Sequence, residues 1–153
     1  MIQFDFATLN TPEAVGELYA KLDTIQEDVC ILANNTGKGH ANPIEAHTVD
    51  MCFNMVNVNI NAMLFISRYF IPKFKARFAK AGKRSAVINV SSISALGASA
   101  STVVYGSTKA FNRMFSLGME QECKEFLDVL TVLPASTKSS MNSGRYLGTI
   151  TAP

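Results

Sequence analysis

The sequence has little net charge and no excess of one sign that would indicate a polyanionic partner. Fourteen lysine and arginine residues stand against 12 aspartate and glutamate residues, which gives a net charge of +2. Nucleic-acid-binding domains usually carry a strong basic patch, so this balance argues against nucleic acid as the main partner. The hydrophobic content of 48% with 17% charged residues indicates a packed globular chain.

Cysteine is also scarce. Cys30, Cys52 and Cys123 are odd in number and far apart in the chain. They indicate neither a disulfide framework nor a zinc site, so we expect no metal and a reducing intracellular compartment, the cytoplasm or an organelle. We expect all three thiols to lie in or near the core.

Targeting and membrane signals are missing from the sequence as well. The first 30 residues contain several acidic side chains, unlike a signal or transit peptide: Asp5, Glu13, Glu17 and Asp23. No stretch approaches the ~18 consecutive apolar residues of a membrane-spanning helix. We therefore expect no transmembrane segment.

The sequence does contain regularly spaced strand patterns. Continuous apolar runs predict buried strands over residues 29–33, 86–90 and 127–133. Alternation of Ile2, Phe4 and Phe6 with polar neighbours predicts a short additional strand at the start of the chain.

Helical patterns alternate with these strands. They cover residues 11–26, opened by Thr11 and Pro12, then residues 52–81, where Pro72 can introduce a kink, and residues 102–125. The alternation predicts an α/β fold with a doubly wound parallel sheet and helices on both faces. We expect one domain over residues 1–134, followed by a Ser/Thr/Gly-rich loop or tail over residues 135–153.

Polar clusters follow each of the three apolar strands. They are Asn34-Asn35-Thr36-Gly37, Ser91-Ser92, and residues 134–139. Because the carboxyl ends of parallel strands share one edge of the sheet, and chemistry gathers outside that edge, we expect the clusters to converge on one rim.

Tyr105 and Lys109 lie four positions apart in the last predicted helix. One helical turn places such residues on the same face, with Cβ atoms roughly 5–6 Å apart. A cation held beside a phenol favours the phenolate, which suits a tyrosine that exchanges protons near neutral pH. A Tyr-x-x-x-Lys pair also occurs by chance, so the spacing alone leaves both interpretations open.

Four motifs together resemble the short-chain dehydrogenase/reductase family over nearly the whole chain. NNTG at 34–37 resembles the family's Asn-Asn-Ala-Gly signature, VNVNI at 56–60 its asparagine segment, INVSS at 88–92 its catalytic-serine strand, and YGSTK at 105–109 its Tyr-x-x-x-Lys pair. The serine precedes the tyrosine by thirteen residues, which is the family spacing. Within the family the chain looks most like the 17β-hydroxysteroid dehydrogenase and 3-ketoacyl-CoA reductase branch.

The resemblance implies four catalytic residues. Tyr105 would exchange a proton with a carbonyl or alcohol, and Lys109 would assist it and hold the nicotinamide ribose. Ser92 would hydrogen-bond the substrate oxygen, and Asn59 would anchor a water that relays protons to Lys109.

The resemblance also implies a cofactor, NAD or NADP with NADPH slightly favoured, and a set of residues that contact it. That set is Asn34, Asn35, Gly37, Tyr105, Lys109, Pro134 and Ser139. The implied fold is an incomplete Rossmann-like sheet, with strands that resemble the third to sixth of the full fold.

Each residue taken alone has an ordinary structural interpretation. Asn34 and Asn35 suit a turn, Ser92 a strand-end cap, Asn59 a helix surface, and Lys109 a solvated helix face. The order and spacing of the motifs favour an inherited site over these separate interpretations.

The family's glycine-rich turn, Thr-Gly-x-x-x-Gly-x-Gly, has no counterpart in the sequence. That turn places a helix N-terminus at the cofactor pyrophosphate. In a sheet of order 3-2-1-4-5-6, its absence would separate residues 1–6 from residues 29–33. We expect completion of the fold by another chain, by a second copy, or by direct pairing of these two segments.

Two functions remain open. The first is an NAD(P)-dependent carbonyl reductase or alcohol dehydrogenase of a small hydrophobic ketone, hydroxysteroid or 3-ketoacyl substrate, active when the cofactor-binding segment comes from a complementing chain or from omitted sequence. The second is a catalytically silent structural or interaction subunit of a larger assembly, without cofactor. Alternatively, the printed sequence is part of a longer gene product with ordinary chemistry.

Overall fold

The computed structural model describes residues 1–137 of the chain. The helices are α1 (Pro12–Leu22), α2 (Val49–Val56), α3 (Ala62–Ala81) and α4 (Val103–Cys123), and the strands are β1 (Ile31–Asn34), β2 (Ser85–Val90) and β3 (Leu127–Val132). A π-helical turn, Asn57–Asn61, joins α2 to α3. Short 3-10 turns lie at Phe6–Thr8, Ile44–Ala46 and Ile93–Ala95.

The three strands form one parallel sheet in the order β1-β2-β3. Leu32 lies opposite Val87, which lies opposite Val129 on its other side. Parallel pairing follows from the helical connections, because each crossover returns the chain to the same end of the sheet. The predicted α/β class and its parallel sheet are confirmed.

One face of the sheet is covered by α3 and α4. Val87, fully buried at the centre of this face, packs in one cluster with Phe70 and Phe74 of α3 and with Met119 and Cys123 of α4. Burial of each large apolar side chain contributes about 1.5–3 kcal/mol, so this cluster is the main core of the protein.

The other face of the sheet is open over the described part of the chain. Ile31 on β1 and Leu130 on β3 share this face and are 60% and 56% exposed. Within residues 1–137 the second predicted layer of helices is not found. The outer edge of β1 pairs with no strand in the same range, because β1 pairs with β2 alone.

The strand predicted over residues 2–6 is wrong. The segment instead leads into the 3-10 turn Phe6–Thr8, where Ala7 N–H donates to the Asp5 carboxylate over 3.0 Å. A parallel strand needs a neighbour for its backbone groups, and here Phe4 and Phe6 pack instead against Leu9 in a second apolar cluster with α1. Direct pairing of residues 1–6 with residues 29–33 is therefore also wrong.

Helix α1 begins as predicted, with the Thr11 hydroxyl accepting from Ala14 N–H at 3.2 Å and Pro12 in the first turn. It ends at Leu22, earlier than predicted. At that end the Thr24 hydroxyl donates to the Lys21 carbonyl over 2.7 Å. This bond satisfies one of the acceptors that the helix terminus leaves free.

A single helical run from Val49 to Ala81 crosses the molecule. Thr48 caps it, and the run continues through Pro72, so its departure from α-helical geometry lies at Asn57–Asn61 rather than at the proline. By length and composition this helix could cross a membrane, and about a third of its most apolar window is buried in the protein. A core helix meets the same criteria, and side-chain bonds from the π-helical turn to other segments indicate a core helix here.

The three cysteines differ in their surroundings. Cys123 is buried and Cys52 is half-buried, but Cys30 is exposed, so the core position predicted for Cys30 is wrong. Cys30 lies directly before β1, outside the strand itself.

Candidate active site

The loops that follow β2 and β3 meet at the carboxyl end of the sheet. Ser91 N–H donates to the Val132 carbonyl over 2.8 Å, and Ile93 N–H donates to the Pro134 carbonyl over 3.1 Å. Two of the three clusters predicted to share a rim, the serines and the segment from Pro134, thus lie side by side at the ends of parallel strands.

Lys109 is the buried charge at this rim. Lys109 follows Tyr105 by 4 positions on α4, and the residue is only 3% exposed. The Nζ donates to the Val90 carbonyl over 2.9 Å and lies 5.8 Å from the centroid of the Tyr105 ring. Burial lowers the pKa of the Lys109 ammonium below its usual 10.5. The solvated-lysine interpretation is therefore wrong.

A reciprocal pair of bonds holds Lys109 to the end of β2. While the lysine donates to the Val90 carbonyl, the hydroxyl of Ser91 donates to the Lys109 carbonyl over 2.7 Å. The two bonds fix both the backbone and the side chain of Lys109 relative to the strand. A lysine held in this way has lost most of its rotamer freedom before any ligand arrives.

Ser92 follows at the start of the loop. Its hydroxyl accepts from Ser94 N–H over 3.2 Å and caps the 3-10 turn Ile93–Ala95. The residue is 7% exposed. The strand-end cap interpretation of Ser92 is thus realised in the structure, and its contact with a substrate oxygen stays a prediction.

Asn59 lies in the π-helical turn and is fully buried. Its Oδ1 accepts from Lys38 N–H over 2.7 Å, and its Nδ2 donates to the Lys38 carbonyl over 2.8 Å and to Thr108 Oγ1 over 2.9 Å. Both amide hydrogens are used, so the side chain joins the NNTG loop to α4. The helix-surface interpretation of Asn59 is wrong, and its anchoring of a water stays a prediction.

Asn34 belongs to a buried polar network on the covered face of the sheet. Its Nδ2 donates to Asn89 Oδ1 over 2.8 Å and to Ser67 Oγ over 3.1 Å. Asn89 in turn donates to Ser116 Oγ over 2.8 Å. The Asn34 side chain therefore holds β1 to β2 and α3, and a cofactor contact by Asn34 stays a prediction.

The remaining predicted cofactor contacts lie along the rim. Asn35 is exposed, and Gly37 and Pro134 are half-buried. Ser139 lies outside the described residues. Within residues 1–137, the lysine–tyrosine side of the rim has groups suited to a nicotinamide ribose, but no strand followed by a glycine-rich turn and a helix is found to hold a pyrophosphate.

Several polar residues of this region were missed from the sequence. The missed residues are Ser67, Asn89, Thr108, Asn112 and Ser116. A signal for part of them was present, because Thr108, Asn112 and Ser116 repeat every four residues along the buried side of α4. Such a stripe of small polar residues indicates contacts with buried groups rather than with solvent.

A parallel sheet whose carboxyl rim carries a buried lysine beside a tyrosine is the arrangement of a Rossmann-like oxidoreductase. The chain belongs to the short chain dehydrogenase family, whose model matches residues 1–147. This membership confirms the resemblance that the four motifs carry.

Two curated relatives illustrate the similarity. Very-long-chain 3-oxoacyl-CoA reductase-A of Danio rerio is 31% identical over 150 residues, which cover 94% of this chain and 44% of that protein. NADP-dependent 3-hydroxy acid dehydrogenase YdfG of Salmonella typhi is 29% identical over 110 residues, covering 71% of this chain and 42% of that protein. The chain spans less than half the length of these relatives.

Solved structures of the same fold match most of the chain. The bulky-bulky ketone specific alcohol dehydrogenase from Comamonas testosteroni matches with a TM-score of 0.72 at 28% identity, over 90% of this chain and 52% of that one. A 4-hydroxyisoleucine dehydrogenase complexed with NADH and succinate matches with a TM-score of 0.72 at 24% identity, over 88% of this chain and 61% of that one. Relatives and neighbours of this chain thus use NADH or NADP.

Proposed function

We propose that this chain carries the proton-transfer half of an NAD(P)-dependent oxidoreductase site that interconverts a hydrophobic ketone and its alcohol. The observation that carries the proposal is the burial of Lys109 beside Tyr105. Within residues 1–137 no carboxylate pairs with Lys109, and burial of an unpaired lysine costs stability. Such a cost is common where a side chain serves a reaction.

In the proposed reaction, the Tyr105 hydroxyl gives its proton to the carbonyl oxygen of the substrate. In the reverse direction, the Tyr105 phenolate accepts the proton of the alcohol. The Lys109 ammonium offsets the negative charge that Tyr105 acquires when it gives up the proton. Ser92 donates a hydrogen bond to the same substrate oxygen as charge develops there. A bound nicotinamide supplies or accepts the hydride.

The substrate and cofactor belong to the proposal as well. The name of one curated relative gives a 3-oxoacyl-CoA as its substrate, and the name of one structural neighbour gives bulky ketones. Together with the motif resemblance, this supports a hydrophobic ketone or 3-ketoacyl substrate. NADP in the name of a third relative supports NADPH.

We further propose that a complementing segment, from another chain or from sequence beyond the printed residues, completes the cofactor side. The free edge of β1 and exposed Ile31 support this step, because unpaired backbone groups beside an apolar face favour strand addition. The same features support a second candidate function, an interaction subunit without turnover. Cofactor binding distinguishes the two functions.

The test is NADPH binding by the purified chain, read by cofactor fluorescence. The chain is measured alone and with a fragment of a relative that supplies a strand, a glycine-rich turn and a helix. Binding that requires the fragment would support a completed site, and binding by the chain alone would remove the need for a complementing segment. Absence of NADPH binding both with and without the fragment would favour the second function, an interaction subunit without turnover.

Where turnover is found, Tyr105→Phe should reduce kcat by about 10²–10⁴-fold, the usual contribution of a positioned acid or base. Tyr19→Phe is the matched control, because Tyr19 bonds the Phe65 carbonyl through its hydroxyl at the α1–α3 contact. Equal kcat values for the two variants would remove Tyr105 from the proton-transfer role.

A further inference from the structure

The ring of Tyr105 lies directly against the backbone of Gly39. A Cβ atom added at Gly39 would lie 3.0 Å from Cδ2 and 3.2 Å from Cε2 of that ring. Real Cβ atoms rarely approach a carbon so closely, so an alanine at position 39 would require the ring or the loop to move by a few tenths of an ångström. One edge of the Tyr105 ring therefore packs directly against the main chain at Gly39.

Backbone freedom does not explain the glycine at position 39. Gly82 is the glycine with positive φ among the described residues, and Gly39 has a φ that other residues adopt. The property that matters at position 39 is the absence of a side chain.

Hydrogen bonds prevent the loop from moving away from the ring. Lys38, next to Gly39, has both its N–H and its carbonyl bonded to Asn59. Asn59 also bonds Thr108, whose hydroxyl donates to the Tyr105 carbonyl over 2.7 Å. A closed circuit of contacts thus runs from Tyr105 through Thr108, Asn59 and Lys38 to Gly39 and back to the ring.

We propose that Gly39 is a positioning residue that sets the place of the Tyr105 phenol, and that Asn59 fixes the distance by holding Lys38. Because both backbone groups of Lys38 are bonded to Asn59, we expect a side chain at position 39 to displace the ring rather than the loop. The catalytic consequence rests on the proposed function, while the displacement of the ring does not.

The displacement is tested by ¹⁹F NMR of the full chain labelled with 3-fluorotyrosine. The chain has four tyrosines, and loss of one signal in Tyr105→Phe assigns the signal of interest. We expect Gly39→Ala to shift the Tyr105 signal and Gly39→Val to shift it further. Gly118→Ala, on the same helix as Tyr105 with no atom within 4 Å of its added Cβ, should leave the signal unchanged. An unmoved Tyr105 signal in folded Gly39→Ala would overturn the proposal.

A second measurement covers the case in which Gly39→Ala unfolds. Tyr105→Ala removes the ring, so Gly39→Ala should lower the urea midpoint in the native background and leave it unchanged in the Tyr105→Ala background. An equal fall in the urea midpoint in the two backgrounds, or a double variant that also fails to fold, would overturn the proposal. Either result would show that the added methyl group clashes with a group other than the Tyr105 ring.

For an active preparation, Gly39→Ala should reduce kcat about tenfold with little change in KM, because small misplacements of a reacting group slow the chemical step. A tenfold rise in KM with an unchanged kcat would contradict the positioning role. If the NMR signal shifts but the chain shows no turnover, the inference that Gly39 positions the ring holds and the proposed function fails.

Discussion

The two faces of the sheet carry different kinds of residue and use them differently. On the covered face, the polar residues Asn34 and Asn89 are buried and bonded to helices, at the side of the sheet from which Lys109 is held. On the open face, the apolar residues Ile31 and Leu130 are more than half exposed. Within residues 1–137, Tyr105 and Lys109 therefore belong to the layer whose polar groups bond one another. The open layer instead has apolar surface and a free strand edge that a further segment could cover.

The largest expected effect is on the covered face. Asn89→Leu removes the bonds to Asn34 and Ser116 and leaves the Ser116 hydroxyl without the amide donor. We expect the free energy of unfolding to fall by about 2–3 kcal/mol, measured by urea titration with far-UV circular dichroism. Leu130→Thr, on the open face, should change it by less than about 0.5 kcal/mol. Equal losses would mean that the open face is covered in solution.

A change of opposite sign is expected at Asn112 on the same covered side. Asn112 is fully buried, and within residues 1–137 neither its Oδ1 nor its Nδ2 has a hydrogen-bond partner. Asn112→Leu should therefore raise the free energy of unfolding by about 1–2 kcal/mol, because an unpaired buried amide is replaced by an apolar group of similar size. A loss as large as that of Asn89→Leu would show that Asn112 has a partner such as an internal water.

A third prediction concerns pH. Because burial lowers the pKa of Lys109 in the folded state, the unfolded chain binds the proton more tightly. Stability contributed at this site therefore rises as pH increases from the lowered value to the usual 10.5. The difference in unfolding free energy between the native chain and Lys109→Met should move in favour of the native chain over this alkaline range. A pH-independent difference would contradict the burial of a charged lysine.

The smallest expected effect lies away from both faces. Gly118→Ala, inside α4 with open space around the added Cβ, should raise the free energy of unfolding by about 0.5–1 kcal/mol, since alanine favours the helix. Gly39→Ala should lower it, and thermal melts of the two variants compare them directly. Equal gains would mean that the two glycines are interchangeable and that the Tyr105 ring does not need bare main chain.

The elements and part of the site could be predicted because their signals are local. Apolar runs and helical spacing located the three strands and the helices, and the four-residue spacing of Tyr105 and Lys109 placed them together. The strand predicted over residues 2–6 failed because a strand depends on a neighbour that local alternation does not supply. The circuit through Asn59 was beyond prediction, since its partners lie 21 and 49 residues away in the chain.

The π-helical turn has a consequence for the order of folding. Its asparagines at 57, 59 and 61 bond Ala7, Lys38, Thr108 and Leu9, which are 50, 21, 49 and 52 positions distant. Contacts of such separation form only after long loops have closed. A chain still on the ribosome therefore cannot form the bonds that orient Tyr105 until residue 108 has emerged.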